Sequence, residues 1–516
     1  MILASQASHS LGHGGAFRPL VPSTAQSQTQ PIRCTEWISI TVPCVLFALP
    51  EPGYFRFYGS TIVELERRGW DVSLVYDKPQ KRGVVRTVPA DAGERVRSVG
   101  ALPHGVSPSA KALRIAVDCI RYLEPAFTHA KYLRRRAEQE LPPAFAFIKR
   151  IDRLPRIGVS ALIGFARGTE RILPVEAAMR EFLKRVQPDV IVVSPLVIVG
   201  GSGVQQTELL KAAHALGICT IVTVASWDHL TSKGLIRVVP DAVIVWNDIQ
   251  AKEAERLHRI PRRRIHITGA PPLDRWFDRS HSDEVESFRR KLGVEDHRRI
   301  LLWVGSSRNM APGDSEPKFV QRWLAALRAS SCADVRNGFV IIRPHPTNIE
   351  PWRDVDFGDR NVVVYPTSYA DSILLSESDV DTFWHSLLVS IGVVGINTTA
   401  MIEAAIVRRP VFSVRDAAFE HSQQQTLHFA YLSAAHGGCT VVSDDLTEHV
   451  SQIEQLFSGT KPDLAAADEF VRRFVRPLGM STRATTHLCD AIERVVPTRG
   501  PDTMPARPSD SVTIGR

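Results

Sequence analysis

Three short segments carry residue types whose spacing could do chemistry on a phosphorylated substrate. In the first, Val393-Val394-Gly395-Ile396 ends in Asn397-Thr398-Thr399, passes into Ala400-Met401-Ile402-Glu403-Ala404-Ala405-Ile406 and is closed by Arg409-Pro410-Val411. This reads as a buried strand, a small polar turn and a helix. Thr398 and Thr399 are therefore expected at a helix N-terminus, where free backbone N–H groups can bind a phosphate. Glu403 follows one helical turn later, where its carboxylate could accept hydrogen bonds from the ribose hydroxyls of the same nucleotide. An ordinary Thr-capped helix with a solvated Glu accounts for the same pattern.

The second segment, Arg343-Pro344-His345-Pro346, directly follows the apolar run 339–342. Two prolines stiffen the loop and aim His345 from the carboxyl end of a strand, where it could donate to a phosphate or supply a proton. The third is Ser226-Trp227-Asp228-His229-Leu230-Thr231-Ser232-Lys233-Gly234, again after a strand. Its adjacent Asp228 and His229 offer a general base for an acceptor hydroxyl. A packed loop histidine and a Trp-anchored turn are the plain structural explanations of these two segments. Gly305-Ser306-Ser307-Arg308 adds small residues for close backbone approach and, in Arg308, charge for a diphosphate. Gly200-Gly201-Ser202-Gly203 ahead of a helix is a weaker signal, because glycine clusters are common.

All these segments sit just past short β-branched runs, so the elements that position them must be strands. Strands are expected at 45–49, 71–76, 189–194, 218–225, 242–246 and 265–268, then at 300–304, 339–342, 362–365, 391–396 and 411–414, the last two closing the series. Amphipathic helices are expected between them, at 58–69, 205–216 and 318–329. Two further helices, 445–457 and 464–475, are expected to pack back across the cleft. Alternation of this kind gives α/β domains with parallel sheets, whose ligands bind beyond the carboxyl ends of the strands. The expected organisation is a disordered leader (1–40), a Rossmann-like domain (41–270) with a basic helical insertion (105–185), a connector (271–297), a second Rossmann-like domain (298–496) and a disordered tail (497–516).

Composition fits this reading. The 516 residues, 44% hydrophobic and 23% charged, exclude wholesale disorder and fibrous repeats. Seven cysteines without a C-x-x-C pair exclude a disulfide scaffold and point to a reducing, cytoplasmic setting. No apolar run reaches the length of a membrane span; 190–201 is interrupted by Ser194 and Pro195. The first 35 residues lack a basic region followed by an apolar core, so no secretory signal is evident. Net charge is +8, and residues 111–185 hold sixteen Lys and Arg against eight Asp and Glu, among them Lys131, Arg134, Arg135, Arg136, Lys149, Arg150, Arg153 and Arg156. That segment reads as a solvated helical face or as a surface for an anionic membrane or polyanionic acceptor. Nucleic acid is not an expected partner, since no basic motif is interleaved with aromatics.

Taken in order, the blocks resemble the two-domain GT-B glycosyltransferases and, within them, the CDP-glycerol glycerophosphotransferases and their relatives in capsule and teichoic acid synthesis. The resemblance rests on residues 227–233, on Gly269-Ala270-Pro271-Pro272-Leu273-Asp274, on Arg343-Pro344-His345-Pro346, and on Thr398-Thr399 with the Glu403 helix running to Pro410. It spans roughly residues 227–412. Those enzymes place a His as proposed base where this chain has Asp228, with His229 one position later. They carry a Ser-Ser turn where this chain has Asn397-Thr398-Thr399, and Glu403 looks more like the ribose-binding Glu of sugar-nucleotide enzymes. Gly53-Tyr54-Phe55-Arg56-Phe57 resembles the GT-B opening loop, which implies an acceptor-facing role for Gly53 and Arg56.

The resemblance implies transfer of a sugar or polyol phosphate from a nucleotide-activated donor to a hydroxyl acceptor, lipid-linked or not, in surface-polysaccharide or glycoconjugate synthesis. Arg308, Arg343, Asn397, Thr398, Thr399 and Glu403 would hold the donor nucleotide, and Asp228, His229 and His345 would serve catalysis. No cofactor and no metal are expected, because Asp379-Val380-Asp381 falls at a helix start rather than in a loop. The expected location is cytoplasmic, peripheral at the inner membrane face. Three readings compete with a sugar donor: a CDP-glycerol-type glycerophosphotransferase, a non-hydrolysing nucleotide-sugar 2-epimerase, and a non-catalytic scaffold.

Overall fold

In the computed structural model, which describes residues 42–77, 87–194, 204–279, 284–295, 298–369, 375–460 and 464–496, short buried apolar runs build two wholly parallel sheets. The leader, the tail and the glycine cluster at 200–203 lie outside the described residues. The first sheet contains β1 (Cys44–Leu49), β2 (Asp71–Tyr76), β3 (Val96–Ala101), β4 (Val190–Val193), β5 (Cys219–Thr223), β6 (Ala242–Val245) and β7 (Ile265–Ile267), in the order β3-β2-β1-β4-β5-β6-β7. The second contains β8 (Ile300–Val304), β9 (Phe339–Arg343), β10 (Val362–Val364), β11 (Gly392–Gly395), β12 (Val411–Val414) and β13 (Thr440–Ser443), in the order β10-β9-β8-β11-β12-β13. Their central strands are buried on both faces, as β1 and β8 show, which is why they read as continuous apolar runs rather than alternating ones.

Both orders reverse at the sheet's first strand. β1 pairs with β2 on one side (Val45 opposite Val72) and β4 on the other (Val45 opposite Val190); β8 likewise lies between β9 and β11. The connections diverge there, leaving a crevice beyond the carboxyl ends. The segments that leave β1, β5, β8, β9 and β11 carry the site residues expected from sequence: Arg343 ends β9 itself, Arg56 and Glu403 stand in the helices that follow β1 and β11, and the others lie in the connecting turns. The doubly wound two-sheet fold is thus the one the sequence implied.

Three local expectations need correction. Strands β3 and β13 were not anticipated; β13 is four residues long, only partly buried and preceded by Gly437-Gly438, so its apolar signal is faint. The helix Leu446–Phe457 does not cross the cleft but packs beside β12 and β13, with Ile453, Leu456 and Phe457 in the core of the second sheet. The element that returns to the first sheet is Ala484–Val495, whose Leu488, Cys489, Ala491 and Ile492 join the core under β1 and β2.

The crossing between the sheets is fixed by a buried carboxylate. Asp274 Oδ1 accepts hydrogen bonds from Arg476 Nη2 (2.7 Å), Arg476 Nε (3.2 Å) and the backbone N–H of Ala484 (3.0 Å). Its Oδ2 accepts from the N–H and hydroxyl of Thr485, both at 2.8 Å. Gly269, at φ +86°, lets the chain pass so close that an added Cβ would lie 2.8 Å from the Val475 carbonyl oxygen. The Gly269–Asp274 block is therefore a structural joint.

The basic insertion is helical: Pro108–Arg121, Lys131–Gln139, Arg156–Ile172 and Ala177–Val186. Much of its charge is internal. Arg114 is buried against Glu170 and Glu208 with Lys211 alongside, and Asp118 pairs with Arg237. Arg134 donates to the carbonyls of Ile151 and Asp152, Arg135 to Gln425 and Arg136 to the Ser232 carbonyl. These three arginines are thus not a free solvated face. No described helix is long and apolar enough to cross a membrane.

Removing one member of a buried ion pair leaves an uncompensated charge, at a cost of about 3–5 kcal/mol. Asp274→Ala is expected to lower stability by about that amount in urea denaturation. A wild-type midpoint in Asp274→Ala would contradict the role given to this joint.

Candidate active site at the carboxyl ends of the two sheets

After β5 the chain turns into a four-residue helix, His229–Ser232. Ser226 and Ser232 hydroxyls donate to Asp228 Oδ1 and Oδ2, each at 2.6 Å. Burial alone would raise the Asp228 pKa, but His229, Lys233 and His428 outweigh it and hold the carboxyl far below the usual range. Both of its carboxylate oxygens are already occupied by serine hydroxyls. Asp228 is the structural anion of the loop.

His229 is the opposite case. It is buried, and desolvation holds its pKa at about 4, with Asp228 opposing and Lys233 and Arg56 reinforcing the drop. Its Nδ1 has no hydrogen-bond partner among the described residues. A neutral imidazole with an unused nitrogen is equipped to accept a proton.

The loop owes its shape to the insertion. Arg121, wholly buried, donates to the carbonyls of Leu230, Thr231 and Gly234, each at 3.3 Å, and to that of Lys233. Asp118 Oδ1 accepts the N–H of Leu235 at 2.7 Å. These groups satisfy the orphan carbonyls at the end of the short helix. Nothing local in the sequence ties residue 121 to residue 233.

On the second sheet, the loop after β8 lies against the loop after β9. A Cβ on Gly305 would sit 2.7 Å from the backbone nitrogen of His345, so only glycine fits. The buried Glu316, its pKa pushed up to about 8 by desolvation, accepts the N–H of Ser306 with both oxygens at 3.0 Å. His345 Nδ1 accepts the N–H of Thr347 at 3.1 Å. A backbone nitrogen only donates, so the neutral ring carries its proton on Nε2. Burial and then the charge of Arg56 hold the His345 pKa at about 4, making the residue a fixed N–H donor near neutrality.

Arg343 and Asn397 both make hydrogen bonds within the chain. The buried Arg343 donates to the Asp379 carbonyl (2.8 Å) and Thr382 Oγ1 (3.1 Å) and lies over Phe383, bracing the helix Glu377–Val389. Asn397 donates to the Ser422 carbonyl. Arg308 is exposed in the turn after Ser307. Thr398 is buried, while Thr399 Oγ1 accepts the indole N–H of Trp227 at 3.3 Å, a contact that joins the two halves of the crevice. His428 meets the same Trp227 ring edge-on at 5.0 Å. Glu403 stands on the helix Ala400–Ile406, where its Oε1 accepts from Trp276 Nε1 at 3.1 Å. Desolvation raises its pKa to about 7 against the pull of Trp276, Arg275, Arg56 and Arg343.

Arg56 unites these groups. It follows β1 beside the buried Gly53, and although its side chain is exposed, surrounding protein lowers its pKa, as expected of a cation lining a cleft. Its charge acts on His229 from the first sheet and on His345 and Glu403 from the second. All four are legible in the sequence. Trp276, Glu316, Arg121 and His428 are not, because each acts through a partner elsewhere in the chain; Lys233 is visible as the end of a motif.

Residues 223–380 match the family model CDP-Glycerol:Poly(glycerophosphate) glycerophosphotransferase. The order of motifs in the sequence resembles that of this family. The matched stretch contains the Asp228–His229 loop, the Gly269–Asp274 joint and Arg343–Pro346, and stops before Asn397–Glu403. Among solved structures, similar ones include a glycosyltransferase from Rickettsia africae ESF-5 (11% identity, TM-score 0.46, covering 88% of this chain and 99% of that one). UDP-GlcNAc 2-epimerase from Methanocaldococcus jannaschii (12%, 0.46, 87% and 99%) and the wall teichoic acid polymerase TagF (10%, 0.44, 88% and 89%) are others. No curated protein sequence matches the chain.

Because Glu403 titrates at about 7, its carboxylate form, the one able to accept ribose hydroxyls, fills as pH rises through that value. Donor kcat/KM is expected to climb between about pH 6 and 8, and Glu403→Gln to flatten the climb. Stopped assays across that range, with an unchanged profile in the variant, would contradict the assignment.

Proposed function

We propose that the crevice transfers a sugar or polyol phosphate from a nucleotide-activated donor to a hydroxyl acceptor in surface-polymer synthesis. The match of residues 223–380 to a glycerophosphotransferase model supports nucleotide-donor transfer as the reaction class. The observation that carries the site assignment is the neutral, buried His229 with its unpartnered Nδ1, electrostatically coupled through Arg56 to the side of the crevice that holds His345 and Glu403.

In this reading His229 takes the acceptor hydroxyl proton as the oxygen bonds to the transferred carbon or phosphorus. The bond to the leaving nucleotide phosphate breaks in the same displacement. His345 Nε2–H, Arg308 and the N–H groups at Thr398 and Thr399 meet the charge that appears on that phosphate, so the proposal needs no metal ion. Glu403 orients the nucleotide through its ribose, and Gly53 and Arg56 line the acceptor side. The acceptor we propose is lipid-linked, which places the protein at the inner face of a membrane.

A positioned base contributes about 10²–10⁴-fold. His229→Ala is expected to lower kcat by at least about a hundredfold with donor KM nearly unchanged, measured on the full chain with a panel of nucleotide donors, and a chelator is expected to leave turnover intact. Full turnover in the variant, or isomerisation of a sugar nucleotide without acceptor, would overturn this reading, the second result in favour of an epimerase.

A further inference from the structure

Nine large apolar side chains are exposed among the described residues, and five lie between 147 and 172: Phe147 (57% exposed), Ile157 (84%), Leu162 (38%), Phe165 (69%) and Ile172 (84%). Four of these are on the helix Arg156–Ile172. Its inner face, Val159, Ile163 and Ala166, is already buried against the insertion, so the helix is apolar on both sides. Residues 157, 161, 165, 168 and 172 follow helical spacing and form one outer stripe: Ile157, Ala161, Phe165, Gly168 and Ile172. A helix at a protein–water boundary carries polar residues there. This stripe has none.

The charge exposed around it is mainly positive, with Glu255 beside Ile157 as an exception. Lys149, Arg150, Arg153, Arg156 and Arg171 are exposed in the same stretch. Of its two acids, Glu170 is buried against Arg114, which leaves Asp152. Apolar side chains on a helix with flanking cations match the chemistry of an anionic bilayer surface, where the apolar face enters the acyl boundary and Lys and Arg meet the headgroups.

We infer that the outer face of the helix Arg156–Ile172 docks on an anionic lipid bilayer. The inference deepens the membrane-side part of the proposed function and moves the contact away from Arg134, Arg135 and Arg136, whose hydrogen bonds are internal. It does not depend on the chemistry in the crevice, because binding is read without turnover.

The test is flotation of the full chain with vesicles of phosphatidylcholine containing about 30% phosphatidylglycerol, against phosphatidylcholine alone. Wild type is expected to float with the anionic vesicles, and Phe165→Ser with Ile172→Ser to weaken binding at least about tenfold while the thermal unfolding curve is kept. Phe165→Trp is expected to show blue-shifted emission on the same vesicles. Unaltered flotation of the double variant, or no shift in Phe165→Trp, overturns the inference. So does a wild type that ignores vesicles yet self-associates through this face, losing that association in the double variant, which would assign the stripe to a second copy of the chain.

Discussion

A buried carboxylate anchors the crossing between the two sheets. Asp274 takes five hydrogen bonds from Arg476, Ala484 and Thr485, and so ties the point where the chain leaves the first sheet to the point where it returns. A buried charge is tolerated only when its lone pairs are filled, and here they are. The guanidinium of Arg476 also lies 3.8 Å from the centre of the Phe277 ring, extending the joint into the connector. With the crossing fixed, the carboxyl ends of β1, β5, β8, β9 and β11 converge, and loops that are far apart in sequence share one electrostatic field.

Within that field, burial does most of the chemical tuning. It lowers His229 and His345 to about 4, so both are neutral near pH 7, and raises Glu403 to about 7. Asp228 escapes the same upward push because His229, Lys233, His428 and the Ser226 hydroxyl counter it. Two adjacent residues that look interchangeable as a base in sequence thereby differ, Asp228 a hydrogen-bonded anion and His229 a neutral imidazole. The insertion contributes through Arg121, whose donors hold the loop carbonyls in place.

The sheets were legible because each strand is a short, fully apolar run between helices, and parallel pairing leaves that signature. Strands β3 and β13 were not, since Val96–Ala101 alternates weakly and Thr440–Ser443 is only partly buried. Site residues on strand-terminal loops were visible for the same reason as the strands. Roles were less visible: Arg343 stands two residues before His345 in sequence, yet lies over Phe383 to brace a helix. Nor could composition show that many cations of the insertion pair with acids or carbonyls, leaving a smaller basic rim around an apolar helix face. The net charge of +8 described a total; the fold decides which part of it meets solvent.

The central claim is that one crevice uses its second sheet to hold a nucleotide and its first sheet to activate an acceptor. Calorimetric titration of nucleoside diphosphates into the wild type, Glu403→Ala and His229→Ala tests that division of labour most directly. The account predicts that Glu403→Ala loses nucleotide affinity whereas His229→Ala binds as the wild type does. Loss of nucleotide binding in His229→Ala, or wild-type binding in Glu403→Ala, would contradict it.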